Sequence, residues 1–170
     1  MGHDGTDSSC LMEGLPRIEH QRDGTYRVIL EDHGRELLAA LCIQAKQLIA
    51  RNDPASRRLF PPAHMEGGKA EEEYRQLVGD EIRNGHTEAL NILESTASKD
   101  CVSAEELEQW LNAVEILRLL LGTQLQITED MDVDLDDESL DPRMALYHYL
   151  TWLQDHMVST LSGTEHNPLP

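Results

Sequence analysis

Apolar residues recur along this chain with two periods, and the change of period marks its elements. Near the start they alternate with polar ones: Ile18, then Tyr26, Val28 and Leu30, on either side of Asp23-Gly24. Alternation is the pattern of a strand with one buried face, and Asp-Gly between two such stretches is a hairpin turn because both residues tolerate positive φ. The pattern predicts strands over 16–21 and 25–31. A two-stranded hairpin is only marginally stable alone, so it is expected to lie against a helix.

From Gly34 the period becomes helical. Leu37, Leu38, Leu41, Cys42, Ala45, Leu48 and Ile49 share one face of a helix predicted over 34–51. Asn52-Asp53-Pro54 ends it, since proline disfavours the α region for the residue before it. A second helix is predicted over 70–96, with Tyr74, Leu77, Val78, Ile82, Ala89 and Leu93 on its apolar face. Gly79 and Gly85 weaken it, and a kink is expected near Gly85-His86. The connection Asp53–Gly68 holds Pro54, Pro61, Pro62, Gly67 and Gly68, and reads as a long, locally stiff loop of the kind that often carries function.

Ser103 with Glu106 forms a capping box that opens the periodic segment Glu105–Ile127, in which Leu107, Trp110, Leu111, Val114, Leu117 and Leu121 recur at helical spacing. Gly122 inside this run predicts a close helix–helix approach within a continuing helix. Asp141 as cap and Pro142 in the first turn start the last helix, with Leu146, Leu150, Leu153, Met157 and Leu161 on its apolar face. The expected fold is mostly α: a four-helix bundle-like core with an N-terminal β-hairpin packed on it. Residues 15–162 form a single helical domain, and 1–14 and 163–170 are expected to be disordered tails.

Composition sharpens this picture. A chain of 170 residues can bury a sufficient core without disulfides or metals, and 4% aromatics makes that core aliphatic. No apolar run approaches the ~20 residues of a membrane span, and the acidic, polar start MGHDGTDSSC is unlike a signal peptide, so a cytoplasmic location is expected.

The net charge of -18 is uneven: residues 1–60 hold eight Lys and Arg against nine Asp and Glu, and residues 61–170 hold six against 23. Such a surface repels polyanions at long range, which disfavours nucleic acid and favours protein partners.

Catalytic and metal signatures are missing. There is no nucleophile elbow, phosphate-binding loop or dinucleotide fingerprint. The acidic run Glu129–Asp141 places Asp130, Asp132 and Asp134 at alternate positions, but a calcium loop starting there would need Gly where Leu135 stands and usually Glu where Asp141 stands. It reads as a solvated linker. His148 and His156 share a helix face with Trp152 but lie ~12 Å apart along it, too far for one ion. No metal, cofactor or catalytic residue is assigned.

The arginines of the proline-rich loop are the stronger candidate. Arg51, Arg57 and Arg58 stand beside Leu59 and Phe60 in an otherwise acidic chain. Either Leu59 and Phe60 anchor the loop while the arginines pair with acidic helices, or the loop docks a partner's acidic or aromatic group, or a DNA phosphate. Arg51, Arg57, Arg58 and Phe60 are the partner-binding candidates. Of the three cysteines, Cys42 falls on an apolar helix face and is expected to be buried, whereas Cys10 lies in the tail and Cys101 in a loop.

The strings SRRLFPPAH, EEEYRQLVGDEI, LRLLLGTQLQITED and ALYHYLTWLQDHMV, in this order, carry a further reading. Together they resemble the actinomycete domain-of-unknown-function family that includes the oxidative stress regulators. The resemblance implies a small, mostly helical cytoplasmic protein whose gene lies beside that of a Clp protease adaptor, with a redox-linked role in transcription and no enzyme activity. Under it, Cys10 and Cys101 are the redox candidates, joined if at all by a bridge between residues distant in sequence. The expected function is that of a non-enzymatic regulatory protein acting by protein–protein interaction, in stress-linked transcription control or proteolysis. Its partner would belong to the transcription or Clp protease machinery. The alternative is a redox-responsive DNA-binding transcription regulator.

Overall fold

Residues 16–61, 67–128 and 141–163 are described by a computed structural model of the chain. In order they form β1 (Arg17–His20), β2 (Tyr26–Ile29), α1 (Asp32–Ala50), a 3-10 helix (Pro54–Leu59), α2 (Lys69–Thr96), β3 (Cys101–Val102), α3 (Ala104–Gln124) and α4 (Pro142–Ser162). The acidic run 129–140, both tails and Cys10 lie outside the described residues.

α3 is the central element because its sequence is apolar on more than one side. Leu107, Trp110, Ala113, Val114, Ile116, Leu117, Leu120 and Leu121 are all buried, and the helix packs on α1, α2, α4 and the 3-10 helix. Trp110 is the largest fully buried side chain. Its indole N–H donates to Thr96 Oγ1 at 2.7 Å, which satisfies the polar end of an otherwise apolar group. The Ser103–Glu106 capping box is formed in both directions. Lys99 and the Ser103 N–H hold the Glu106 carboxyl below its ordinary range, as hydrogen bonds to the charged form do.

α4 begins where Asp141-Pro142 predicts. Asp141 accepts from the Arg143 N–H, and the Arg143 guanidinium beside it takes its carboxyl down to about 2. Gly122 confirms the close approach of helices: a Cβ there would sit 3.2 Å from the Tyr147 ring of α4.

Several expectations are corrected. The hairpin is part of a three-stranded antiparallel sheet of order β1-β2-β3, with Tyr26 opposite Val102 and Arg27 opposite Cys101. Cys101 is therefore in a short strand and not a loop, a two-residue pairing too brief to leave a periodic signal. At the hairpin turn Gly24 has φ +85° while Asp23 is absent from the positive-φ residues. Gly24 N–H donates to Gln21 O, and the Asp23 carboxylate accepts from Thr25 N–H, so the turn is a three-residue loop closed by a left-handed glycine. α1 starts two residues earlier than predicted, at Asp32, and α3 ends at Gln124, where Gln126 turns left-handed.

The proline-rich connection contains a 3-10 helix capped by the Asp53 side chain. α2 runs as one helix through Gly79 and Gly85. Leu77, assigned to its apolar face, is 81% exposed. The rest of that face holds, with Ala89 and Leu93 buried and Tyr74, Val78 and Ile82 half-buried; the fully buried residues of α2 are Glu71 and then Ala89, Leu90, Leu93 and Thr96, so its dense packing lies in its last third.

Candidate partner-binding groove

The first two thirds of α2, largely exposed or half-buried, create the most chemically distinctive surface among the described residues. Opposite this stretch stand the 3-10 helix and Phe60-Pro61, and between them lies an open groove of about 900 Å³. Its walls carry Arg57 and Arg58 from one side and Arg75 and Arg83 from the other. Four of the chain's 14 Lys and Arg thus line one depression, alongside three acids, Asp53, Glu71 and Asp80. Two of those acids are already engaged. Asp53 accepts the Ala55 N–H as a helix cap at 2.9 Å, and buried Glu71 pairs with Arg75 at 3.0 Å.

The structure divides the predicted candidates. Leu59 is buried and Phe60 packs against the core, so the apolar anchor is real. The arginines do not pair with acidic helices among the described residues. Arg58 donates from Nη2 to Ile127 O at 3.0 Å, where it satisfies a carbonyl just past the end of α3. Arg51 folds back on Gln47 O of its own helix and does not line the groove. The Arg57 side chain is exposed and makes no hydrogen bond or ion pair among the described residues, while its backbone O accepts from the Phe60 N–H. Phe60 supports Arg83, whose guanidinium carbon lies 5.4 Å from the ring centre. Arg83 also donates to Ile49 O at 3.3 Å, while its Nε is buried with no hydrogen-bond partner. His86 stands edge-on to Phe60, with ring centres 5.6 Å apart, and its Nε2 lies 3.1 Å from Leu59 O. The carbonyl can only accept, so that nitrogen carries the proton.

Reading the loop alone missed Arg75, Arg83 and Tyr74. A signal was present: Arg75, Gly79 and Arg83 follow at i, i+4, i+8, so they lie along one face with a side-chain-free step between two guanidinia. The set offers forked N–H donors suited to carboxylate, with Phe60 and Tyr74 as apolar contact. The Ser56 hydroxyl in its lining is committed to Asp53 O at 2.7 Å.

Of the redox candidates, Cys101 is exposed and unbridged, and Cys10 falls outside the described residues. Cys42 is fully buried, and burial, with Glu94 adding to it, pushes its thiol up to about 12. Among the described residues no group of three or more His, Cys, Asp or Glu is placed to hold a metal ion, and no helix is long and apolar enough to cross a membrane.

A family model described as a domain of unknown function, DUF2017, matches residues 15–161. The chain belongs to the DUF2017 family. No curated protein and no solved structure matches it. The matched span of this DUF2017 domain runs from before β1 to one residue short of the end of α4, and includes the groove residues Arg57, Phe60, Arg75 and Arg83.

Proposed function

We propose that this protein is a non-enzymatic regulator that works by protein–protein contact, and that the groove between the 3-10 helix and α2 receives an acidic segment of its partner. One observation carries the reading: four arginines and two aromatic residues converge on a groove of about 900 Å³ in a chain of net charge -18. In an acidic field, a local cluster of guanidinia with a hydrophobic floor selects a ligand with one or two carboxylates beside an apolar side chain. A long polyanion would meet the rest of the surface and be repelled. The resemblance to the oxidative stress regulators of actinomycetes supports a cytoplasmic role in stress-linked transcription or in Clp-dependent proteolysis, and a partner from one of those machineries. The alternative, a redox-responsive DNA-binding regulator, is supported by that resemblance and by the accessible thiol of Cys101.

Photo-crosslinking in the source cells tests the reading. A crosslinker in place of Arg57 is expected to trap a protein that a crosslinker at exposed Ile43 does not, and Arg83→Gln, which keeps an amide donor for Ile49 O but removes the charge, should weaken the adduct without changing the circular dichroism spectrum. Equal adducts from both positions, or adducts to DNA, would refute protein docking at the groove.

A further inference from the structure

The first strand of the sheet is held at its open edge by side chains of the last helix. β1 is an edge strand, and an edge presents unpaired N–H and C=O groups that must be satisfied. Here the Ile18 N–H donates to His156 Nε2 at 3.0 Å. Thr160 Oγ1 lies 3.4 Å from Ile18 O and 2.8 Å from His156 O, so its single proton is shared between the strand and its own helix. The imidazole is stacked on Trp152, with ring centres 5.2 Å apart and planes 8° from parallel. These contacts join residues 138 and 142 positions apart and dock the hairpin on α4.

A backbone N–H can donate to a ring nitrogen only if that nitrogen holds a lone pair. His156 must therefore be unprotonated at Nε2 when the hairpin is docked. Protonation puts an N–H where the lone pair was, so two donors face each other across 3.0 Å and the Ile18 N–H loses its acceptor. We infer that His156 is a proton-sensitive latch: the neutral ring docks the hairpin on α4, and proton uptake releases the β1 edge.

The surroundings set how readily the ring charges. β1 contributes Arg17, Glu19 and His20, all exposed, and α4 contributes exposed Asp155. α3, packed on α4, carries Glu108, Glu115 and half-buried Arg118. Acidic groups favour the imidazolium, while Arg17, Arg118 and the Ile18 N–H oppose it.

Amide exchange by NMR on the full chain tests this, with the protection factor of Ile18 followed down a pH series from the neutral to the fully protonated ring of His156. In the unsubstituted protein, protection should fall about tenfold on acidification, the scale of one hydrogen bond lost. His156→Gln keeps an uncharged acceptor at similar reach and should show no such fall, whereas His20→Gln should behave like the unsubstituted protein. Protection that persists in acid, or an equal fall in His156→Gln, overturns the latch. Should His156→Gln fail to fold, ring-nitrogen shifts of His156 in the unsubstituted protein decide. A ring doubly protonated while Ile18 stays protected overturns the proposal, and loss of protection that tracks ring protonation supports it.

Discussion

Arg35 shows how much one residue can join that no local pattern announces. Its Nε donates to Leu30 O, Nη1 to Ala97 O and Lys99 O at 2.8 and 2.7 Å, and Nη2 to Val28 O and the Asp100 carboxylate. The side chain is 12% exposed, so these bonds satisfy carbonyls at the end of β2 and in the turn between α2 and β3 that water reaches poorly. In the sequence Arg35 reads as the polar face of a helix, because its partners in that turn lie 62 to 65 residues away. Arg35→Lys cannot reproduce the fork and is expected to cost about 2 kcal/mol, and Arg35→Met on the order of 3 kcal/mol, measured as urea unfolding free energies. Cys42 gives a prediction in pH. Its thiol is pushed up to about 12 from 9.0, so folding favours the protonated form. The stabilisation is full below pH 9.0 and is lost as pH rises toward 12. By pH ~10.5 the unsubstituted protein should have lost about 2 kcal/mol more than Cys42→Ala, relative to neutral pH. Equal loss in the two proteins would show that the thiol is not held neutral by burial.

At the scale of elements, what was legible is what chemistry writes locally. Asp141-Pro142, Ser103 with Glu106, and Gly122 each predict a feature fixed within a turn of helix, and each is found. The apolar face of α2 was legible except at Leu77, which adjoins it but points to solvent once the helix packs on α1 and α3. Half of the groove's wall comes from α2, distant in sequence from the proline-rich loop, so the loop's own pattern does not show it. Two helix glycines, Gly85 of α2 and Gly122 of α3, make a test. A Cβ at Gly85 meets nothing within 4 Å, so Gly85→Ala should stabilise the protein by up to about 1 kcal/mol through helix propensity alone. At Gly122 the same gain is opposed by the Tyr147 ring 3.2 Å away, and by Arg58 Nη1 at 3.7 Å. Gly122→Ala should therefore be neutral or destabilising, by roughly 1 kcal/mol, in the same thermal melts. Stabilisation at both positions would mean that α3 and α4 are not in close contact there.

For the whole molecule, the decisive quantity is where the charge lies. The net of -18 is concentrated in residues 61–170, which hold six basic and 23 acidic residues, and α2, α3 and α4 all come from that part. Against this background the four groove arginines are a local exception alternating with Asp53, Glu71 and Asp80, and no run of cations extends from them along a helix. Duplex binding without base recognition needs several phosphates neutralised at once, each releasing counterions, and affinity falls steeply with salt as those contacts are screened. A groove with Arg57 and Arg83 available engages one or two phosphates, while the acidic helices beside it repel the next ones along the strand. Random-sequence duplex DNA is therefore expected to give no electrophoretic shift at micromolar protein and physiological salt, with thiols either reduced or oxidised. A shift that appears only after oxidation would favour the DNA-binding alternative, since Cys101 is the accessible thiol among the described residues. Under the docking reading, a peptide with two acidic residues flanking an aromatic should bind measurably, lose affinity in Arg57→Glu, and weaken only modestly with added salt, because it releases few ions.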